Sequence, residues 1–203
     1  MIVGNRMTTE PFTVEAEDLA IRATHKMQAG GFHRLPVVRD GKLVGIVSER
    51  DLREHRGHLE QVKINQIMTE DPVTVTPATT VEEAAQIMLE RQISGLPVVA
   101  EGHLVGMVTA SDILRAFLDV MGASHGGSSR IDFVLEGEEH GFVEATRLVA
   151  REGGEVLGVG TYREKLDDNP VCYLRLVGGA PDNIAKALHD RGFNVLGVHK
   201  IGG

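Results

Sequence analysis

The chain has 203 residues, 42% hydrophobic and 25% charged, the proportions of a soluble globular protein with one large domain or two small ones. A net charge of −8 argues against a general nucleic-acid binder, which needs a basic surface to release counterions. No run approaches the ~20 apolar residues of a membrane span. Residues 1–7 lack the apolar core of a signal peptide and the lone cysteine, Cys172, cannot form an internal disulfide, so the cytoplasm is the expected compartment.

Tryptophan is absent and aromatics are only 4%, so the cores must be built from Val, Leu, Ile, Met and Ala. Charge is uneven along the chain. Residues 1–64 hold 10 Lys/Arg against 9 Asp/Glu, residues 65–121 hold 2 against 8, and residues 122–203 hold 9 against 12.

Residues 7–52 align without a gap on residues 68–113, with 17 identities in 46 pairs, a duplication at an offset of 61. Met7-Thr8 meets Met68-Thr69, Leu35-Pro36-Val37-Val38 meets Leu96-Pro97-Val98-Val99, and Gly41, Gly45 and Asp51 meet Gly102, Gly106 and Asp112. In each copy an extended Thr-Val segment leads into a helix. Ala20, Ala23 and Met27 mark its apolar face in the first copy; Val81, Ala84, Ala85 and Met88 do so in the second, after a Thr80/Glu83 capping pair. Two β-rich runs follow, Leu35–Val38 and Leu43–Val47, joined by a turn containing Asp40-Gly41, a hairpin signal. A second helix is expected from Ser48–Asp51, and from Thr109–Asp112 in the other copy, where hydroxyl and carboxylate suit an N-terminus.

The stretches Gly45-Ile46-Val47-Ser48-Glu49-Arg50-Asp51 and Gly106-Met107-Val108-Thr109-Ala110-Ser111-Asp112, with the repeat, resemble the CBS domain. Two copies imply a pair packed with pseudo-two-fold symmetry over residues 7 to about 121, with repeats at 1–64 and 65–121. The resemblance implies a regulatory site for an adenine nucleotide (AMP, ADP, ATP or a related adenosine compound) and no catalytic cofactor. On it, Leu35, Pro36 and Val37, and in the second copy Gly95, Leu96, Pro97 and Val98, wall an apolar slot for the base. Asp51 and Asp112 accept from ribose hydroxyls, Ser48 and Thr109 face an anion at helix N-termini, and Thr13 and Thr74 add hydroxyls. The same Ser, Thr and Asp residues also suit plain helix caps. His33, Arg34 and Arg50 stand where the second copy has Ser94, Gly95 and Ser111, which predicts phosphates at the first repeat's site; the alternative for both arginines is surface ion pairing.

Residues 122–129 read as a Gly/Ser linker. Beyond it, Ile131–Leu135, a helix through Phe142, Ala145, Leu148 and Val149, Val156–Tyr162, Val171–Val177, a helix over Pro181–His189 and Asn194–His199 spell βαββαβ, a ferredoxin-like order. With Glu138-Glu139-His140-Gly141-Phe142 between first strand and helix, residues 130–203 resemble the ACT domain. That resemblance implies a ligand loop at His140, Gly141 and Phe142, or a role in dimerisation. The whole is a mixed α+β chain, and its layout is similar to that of bacterial acetoin-utilisation AcuB-like proteins.

No Walker loop, nucleophile elbow or triad spacing is present, so no catalytic residue is assigned. His55 and His58, three apart, lack further metal ligands nearby, and Gly158-Val159-Gly160 lacks the third glycine of a dinucleotide fingerprint. The apolar helix Ile113, Leu114, Phe117, Leu118 and Met121 predicts packing against the other repeat or a second chain, with a homodimer expected. The expectation is therefore an allosteric sensor; the competing reading is a ligand-free scaffold that holds a partner enzyme or transporter.

Overall fold

The protein is described from a computed structural model covering residues 1–134, 141–163, 165 and 169–200. It divides into two compact units, Met1–Ala116 and Phe117–Gly203, and the chain passes between them within one helix rather than at residues 122–129.

The first unit holds both repeats. Its strands are β1 (Thr8–Thr9), β2 (Val14–Glu15), β3 (Arg34–Arg39), β4 (Lys42–Ser48), β5 (Thr69–Glu70), β6 (Gly95–Ala100) and β7 (His103–Thr109). Its helices are α1 (Ala20–Gly30), α2 (Glu49–Glu54), α3 (Val81–Arg91) and α4 (Ala110–Val120). Both hairpins have the expected two-residue turns. Asp40 and Gly41 adopt φ of 50° and 76°, and Glu101 and Gly102 adopt 51° and 78°, the positive pair that matches strand twist. The helix starts are also as expected: Thr80 accepts a hydrogen bond from the Glu83 amide, and Ser48 and Asp51 form a capping box on α2.

One sheet runs β2-β3-β4-β5 and the other β1-β7-β6, so each repeat lends its leading strand to the other's sheet. Thr8 pairs with Met107 and, 61 residues on, Thr69 pairs with Ile46. This reciprocity is what a pseudo-two-fold axis produces. The cores exchange in the same way. Val3 is buried among Val75, Val81, Met88, Leu96 and Val108, while Ile64 is buried among Val14, Met27, Leu35 and Val47. A boundary at residue 64 therefore divides the sequence repeats but not the packed bodies.

The glycines of the two signature stretches have a shared steric reason. A Cβ at Gly45 would lie 2.5 Å from Met68 Sδ, and one at Gly106 would lie 2.6 Å from Met7 Sδ. Each methionine precedes the exchanged strand and crosses over the glycine of its host.

The second unit has the βαββαβ succession read from the sequence: β8 (Ser129–Val134), α5 (Gly141–Arg151), β9 (Gly154–Tyr162), β10 (Val171–Gly178), α6 (Pro181–Asp190) and β11 (Asn194–Lys200). The antiparallel sheet runs β11-β8-β10-β9 and packs Ile131, Phe133, Cys172, Leu174 and Leu176 against Ala145, Val149, Ile184 and Leu188. Cys172 is a buried free thiol, as its strand setting suggests. The Gly/Ser stretch is less free than its composition predicts, because Ser129 starts β8 and both Ser128 and Ser129 are buried. At Gly158 a Cβ would stand 3.0 Å from the Met121 carbonyl oxygen, so this glycine serves close backbone packing.

Candidate functional site

A cavity of about 740 Å³ opens in the first unit, within the range of small-molecule sites. The first repeat contributes Thr8 to Phe12, from β1 and the turn after it, and Gly31 to Pro36, from the end of α1 and the start of β3. The second repeat contributes Ser94, Met107, Thr109 to Ser111, and Arg115. His33, Arg34, Leu35, Pro36, Thr109 and Ser111 are thus brought to one place. Thr13, Val37, Ser48, Arg50, Asp51, Thr74, Gly95, Leu96, Pro97, Val98 and Asp112 do not line it.

This changes the grouping expected from the sequence. There, His33 and Arg34 shared a site with Ser48 and Asp51 of their own repeat; in the structure they share a cavity with Thr109 and Ser111 of the other. The cause is the exchange of leading strands about the pseudo-two-fold, which a linear reading cannot register. The side chains of Val37 and Val98 are fully buried in the two cores. Thr13 is held through its carbonyl, which accepts from Lys26 Nζ at 2.6 Å.

Arg34 reaches from one repeat to the other across this cavity. Its Nη2 donates to the Ser94 hydroxyl, and a Cβ at Gly95 would meet its Cδ at 2.9 Å. The counterpart glycine is therefore what leaves room for the arginine. Burial pulls the Arg34 guanidinium below its ordinary value, opposed by the Asp51 charge, and Arg34 makes no ion pair among the described residues. Arg115 faces the same space while pairing with Asp112 at 3.3 Å, and His33 lies 3.2 Å from Glu49. At the offset of 61, Arg34 corresponds to Gly95 and Arg115 to Glu54, while the cavity's Ser111 corresponds to Arg50, so the two sides of the pair place their cations differently.

Both signature aspartates act as caps. Asp51 Oδ2 accepts from Ser48 N at 2.7 Å and Ser48 Oγ at 2.8 Å. Asp112 Oδ2 accepts from Thr109 N at 2.9 Å and Thr109 Oγ1 at 2.6 Å. The first-turn carboxylates thus fulfil the structural role open to them in the sequence.

Sequence reasoning missed Phe12, Phe32 and Arg115. Arg115 sits three residues after Asp112, one helical turn further along α4, and that spacing was the available signal. Of the loop expected in the second unit, His140 lies outside the described residues. Gly141 is buried, and the Phe142 ring packs edge-on against Phe133 at 6.4 Å. His55 Nδ1 sits 3.0 Å from the Asp51 carbonyl oxygen. Among the described residues no group of three or more His, Cys, Asp or Glu could hold a metal ion, and no helix is long and apolar enough to cross a membrane.

Two repeats that exchange leading strands and enclose a shared cavity define a paired module. The CBS domain family model matches residues 3–58 and 64–119, more than half of the chain, and the protein belongs to that family. A CBS domain-containing protein of Dictyostelium discoideum is 35% identical over 136 residues, covering 60% of this chain and 94% of its own. Among solved structures, CBSX2 in complex with AMP is 30% identical with a TM-score of 0.53, covering 58% of this chain and 96% of that one. The CBS domain pair of MJ0100, in complex with 5′-methylthioadenosine and S-adenosyl-L-methionine, is 30% identical with a TM-score of 0.54, covering 58% and 95%. A Vibrio cholerae protein assigned to acetoin utilization (AcuB) is 33% identical with a TM-score of 0.53, covering 58% and 90%.

Proposed function

We propose that the protein is a regulatory sensor, not an enzyme, which binds an adenine nucleotide in the cavity shared by the two repeats. The observation that carries this reading is Arg34, a cation with no ion-pair partner among the described residues, spanning from one repeat to Ser94 of the other. Around it stand hydroxyls suited to ribose and phosphate, those of Thr8, Thr9, Thr109 and Ser111, and the apolar Leu35 and Pro36. The adenosine ligands in the related CBSX2 and MJ0100 structures support the class. The cations favour a phosphorylated member of it.

Ligand phosphate competes with Ser94 for Arg34 and so favours one packing of the repeats over another; a ligand that bound both equally would transmit nothing. The βαββαβ unit, read as ACT-like, receives that change through the chain after α4, and the cytoplasm is its place of action. A second copy is proposed to cover α4, whose Leu114 and Val120 are 60% and 58% exposed. That apolar face also supports the scaffold reading, in which the protein holds a partner enzyme or transporter without a ligand.

Calorimetric titration with AMP, ADP, ATP, NAD, S-adenosylmethionine and 5′-methylthioadenosine separates the two. The sensor reading expects AMP to bind. It also expects Arg34→Gln to weaken AMP about 10- to 100-fold, the loss of one charged hydrogen bond, while leaving 5′-methylthioadenosine unaffected. A folded protein free of co-purified nucleotide that takes up none of these compounds is a scaffold.

A further inference from the structure

Phe12 is 62% exposed, an unusual position for a phenyl ring in a chain with only 6 phenylalanines, 2 tyrosines and no tryptophan. It stands on the wall of the cavity, and its inner side rests on Phe32, with ring centroids 5.1 Å apart and planes tilted by 36°. Phe32 is itself seated. Its amide donates to the Met27 carbonyl at 3.0 Å, just past the left-handed Gly31 that ends α1. Its ring folds back over Gly30, where a Cβ would lie 2.0 Å from Cε2. Glycine, inner ring and outer ring form a stack built from the helix end outward. The other repeat has Arg91, Ile93 and Val73 at these positions, so the stack exists on one side of the pair only.

A ring held from behind and bare in front gives up rotational freedom without burying its surface. That arrangement is stabilising once a flat apolar surface covers it. The cavity beside it carries Arg34 and Arg115 as well, which suit the anionic end of the same ligand. We propose that Phe12, braced by Phe32, is the stacking wall for the heteroaromatic base of the nucleotide that binds this cavity. The assignment rests on the nucleotide reading above and adds the residue that holds the base.

The test is AMP titration of the full chain and its Phe12→Ala, Phe12→Leu, Phe12→Tyr and Phe12→Trp variants, with thermal melts to confirm folding. Stacking is worth about 1–3 kcal/mol per base, which converts to a loss of about 5- to 140-fold for Phe12→Ala. Phe12→Leu keeps the apolar bulk without the π-face and is expected to lose nearly as much, while Phe12→Tyr stays within about twofold of the parent. Phe12→Trp makes the only tryptophan in the chain, and AMP is expected to quench its emission. Wild-type affinity in Phe12→Leu, or AMP binding that leaves the tryptophan emission unchanged, overturns the assignment. So does a Phe12→Ala variant that alters the oligomeric state and not the AMP affinity, since a second copy then covers the ring. If the parent protein binds no adenosine compound, the nucleotide reading fails first and this one with it.

Discussion

Met7 with Gly106 and Met68 with Gly45 are the clearest cases of single residues explained by a fold-level contact. An alanine at Gly106 must displace Met7 Sδ and also stands 2.9 Å from the Thr8 carbonyl oxygen, which belongs to a paired strand. Sulfur at the end of a flexible side chain can move; the backbone cannot do so without loss of the ladder. Gly106→Ala is therefore expected to destabilise the first unit by about 1–3 kcal/mol, seen as a lower urea midpoint at unchanged slope. Asp112 offers a second residue-scale test. It caps α4 through Thr109 and pairs with Arg115, so Asp112→Ala is expected to cost about 1 kcal/mol in the ligand-free protein. If ligand-free stability is unchanged, the carboxylate is not acting as the cap the geometry describes.

The leading segment of each repeat is an element whose importance is hidden by its shortness. Val3 N donates to Thr79 O at 2.8 Å, Gly4 N to Pro77 O at 2.9 Å, and Val81 N to Met1 O at 3.0 Å, all into the second repeat. Deleting residues 1–7 removes those bonds together with the buried Val3 side chain. The expected outcome is faster amide exchange in α3, β6 and β7 than in α1, β3 and β4. Equal loss in both repeats, or loss mainly in the first, would contradict the exchanged arrangement. The segment around Ile64 has the same place in the first repeat, with Ile64 N donating to Asp18 O at 2.9 Å.

At the scale of the molecule, the two units can be followed by separate probes. Cys172 is the only cysteine, buried in the second unit, and burial pushes its thiol pKa up. A thiol reagent is expected to label it only when that unit opens, so rapid labelling of the native protein would contradict the packing of β10. Ligand binding reports on the other unit. At 100 times its Kd, a nucleotide is expected to stabilise the first unit by about 2.7 kcal/mol, read as a shift in its unfolding transition. The oligomeric state tests the apolar helix. Leu118→Glu is expected to convert a dimer to monomer in light scattering, and a monomeric parent would remove α4 from consideration as an interface.

The sequence alone determined the elements and the repeat. Those signals are local: Asp40-Gly41 demands positive φ, Ser48 and Thr80 cap helices, and Ala20, Ala23 and Met27 recur at helical spacing. The order of strands and helices after residue 128 was legible for the same reason. The lining of the cavity was legible in part: the resemblance points to His33, Arg34, Leu35, Pro36, Thr109 and Ser111, and all six line it. Their grouping was not, because it depends on which strand pairs with which, and Thr8 meets Met107 across 99 positions of sequence. Phe12 carried no signal of its own; as one phenylalanine after a proline it reads as ordinary apolar filling. Tertiary structure alone decided that its ring would stand bare at a cavity wall, because burial belongs to the packed assembly and not to the residue.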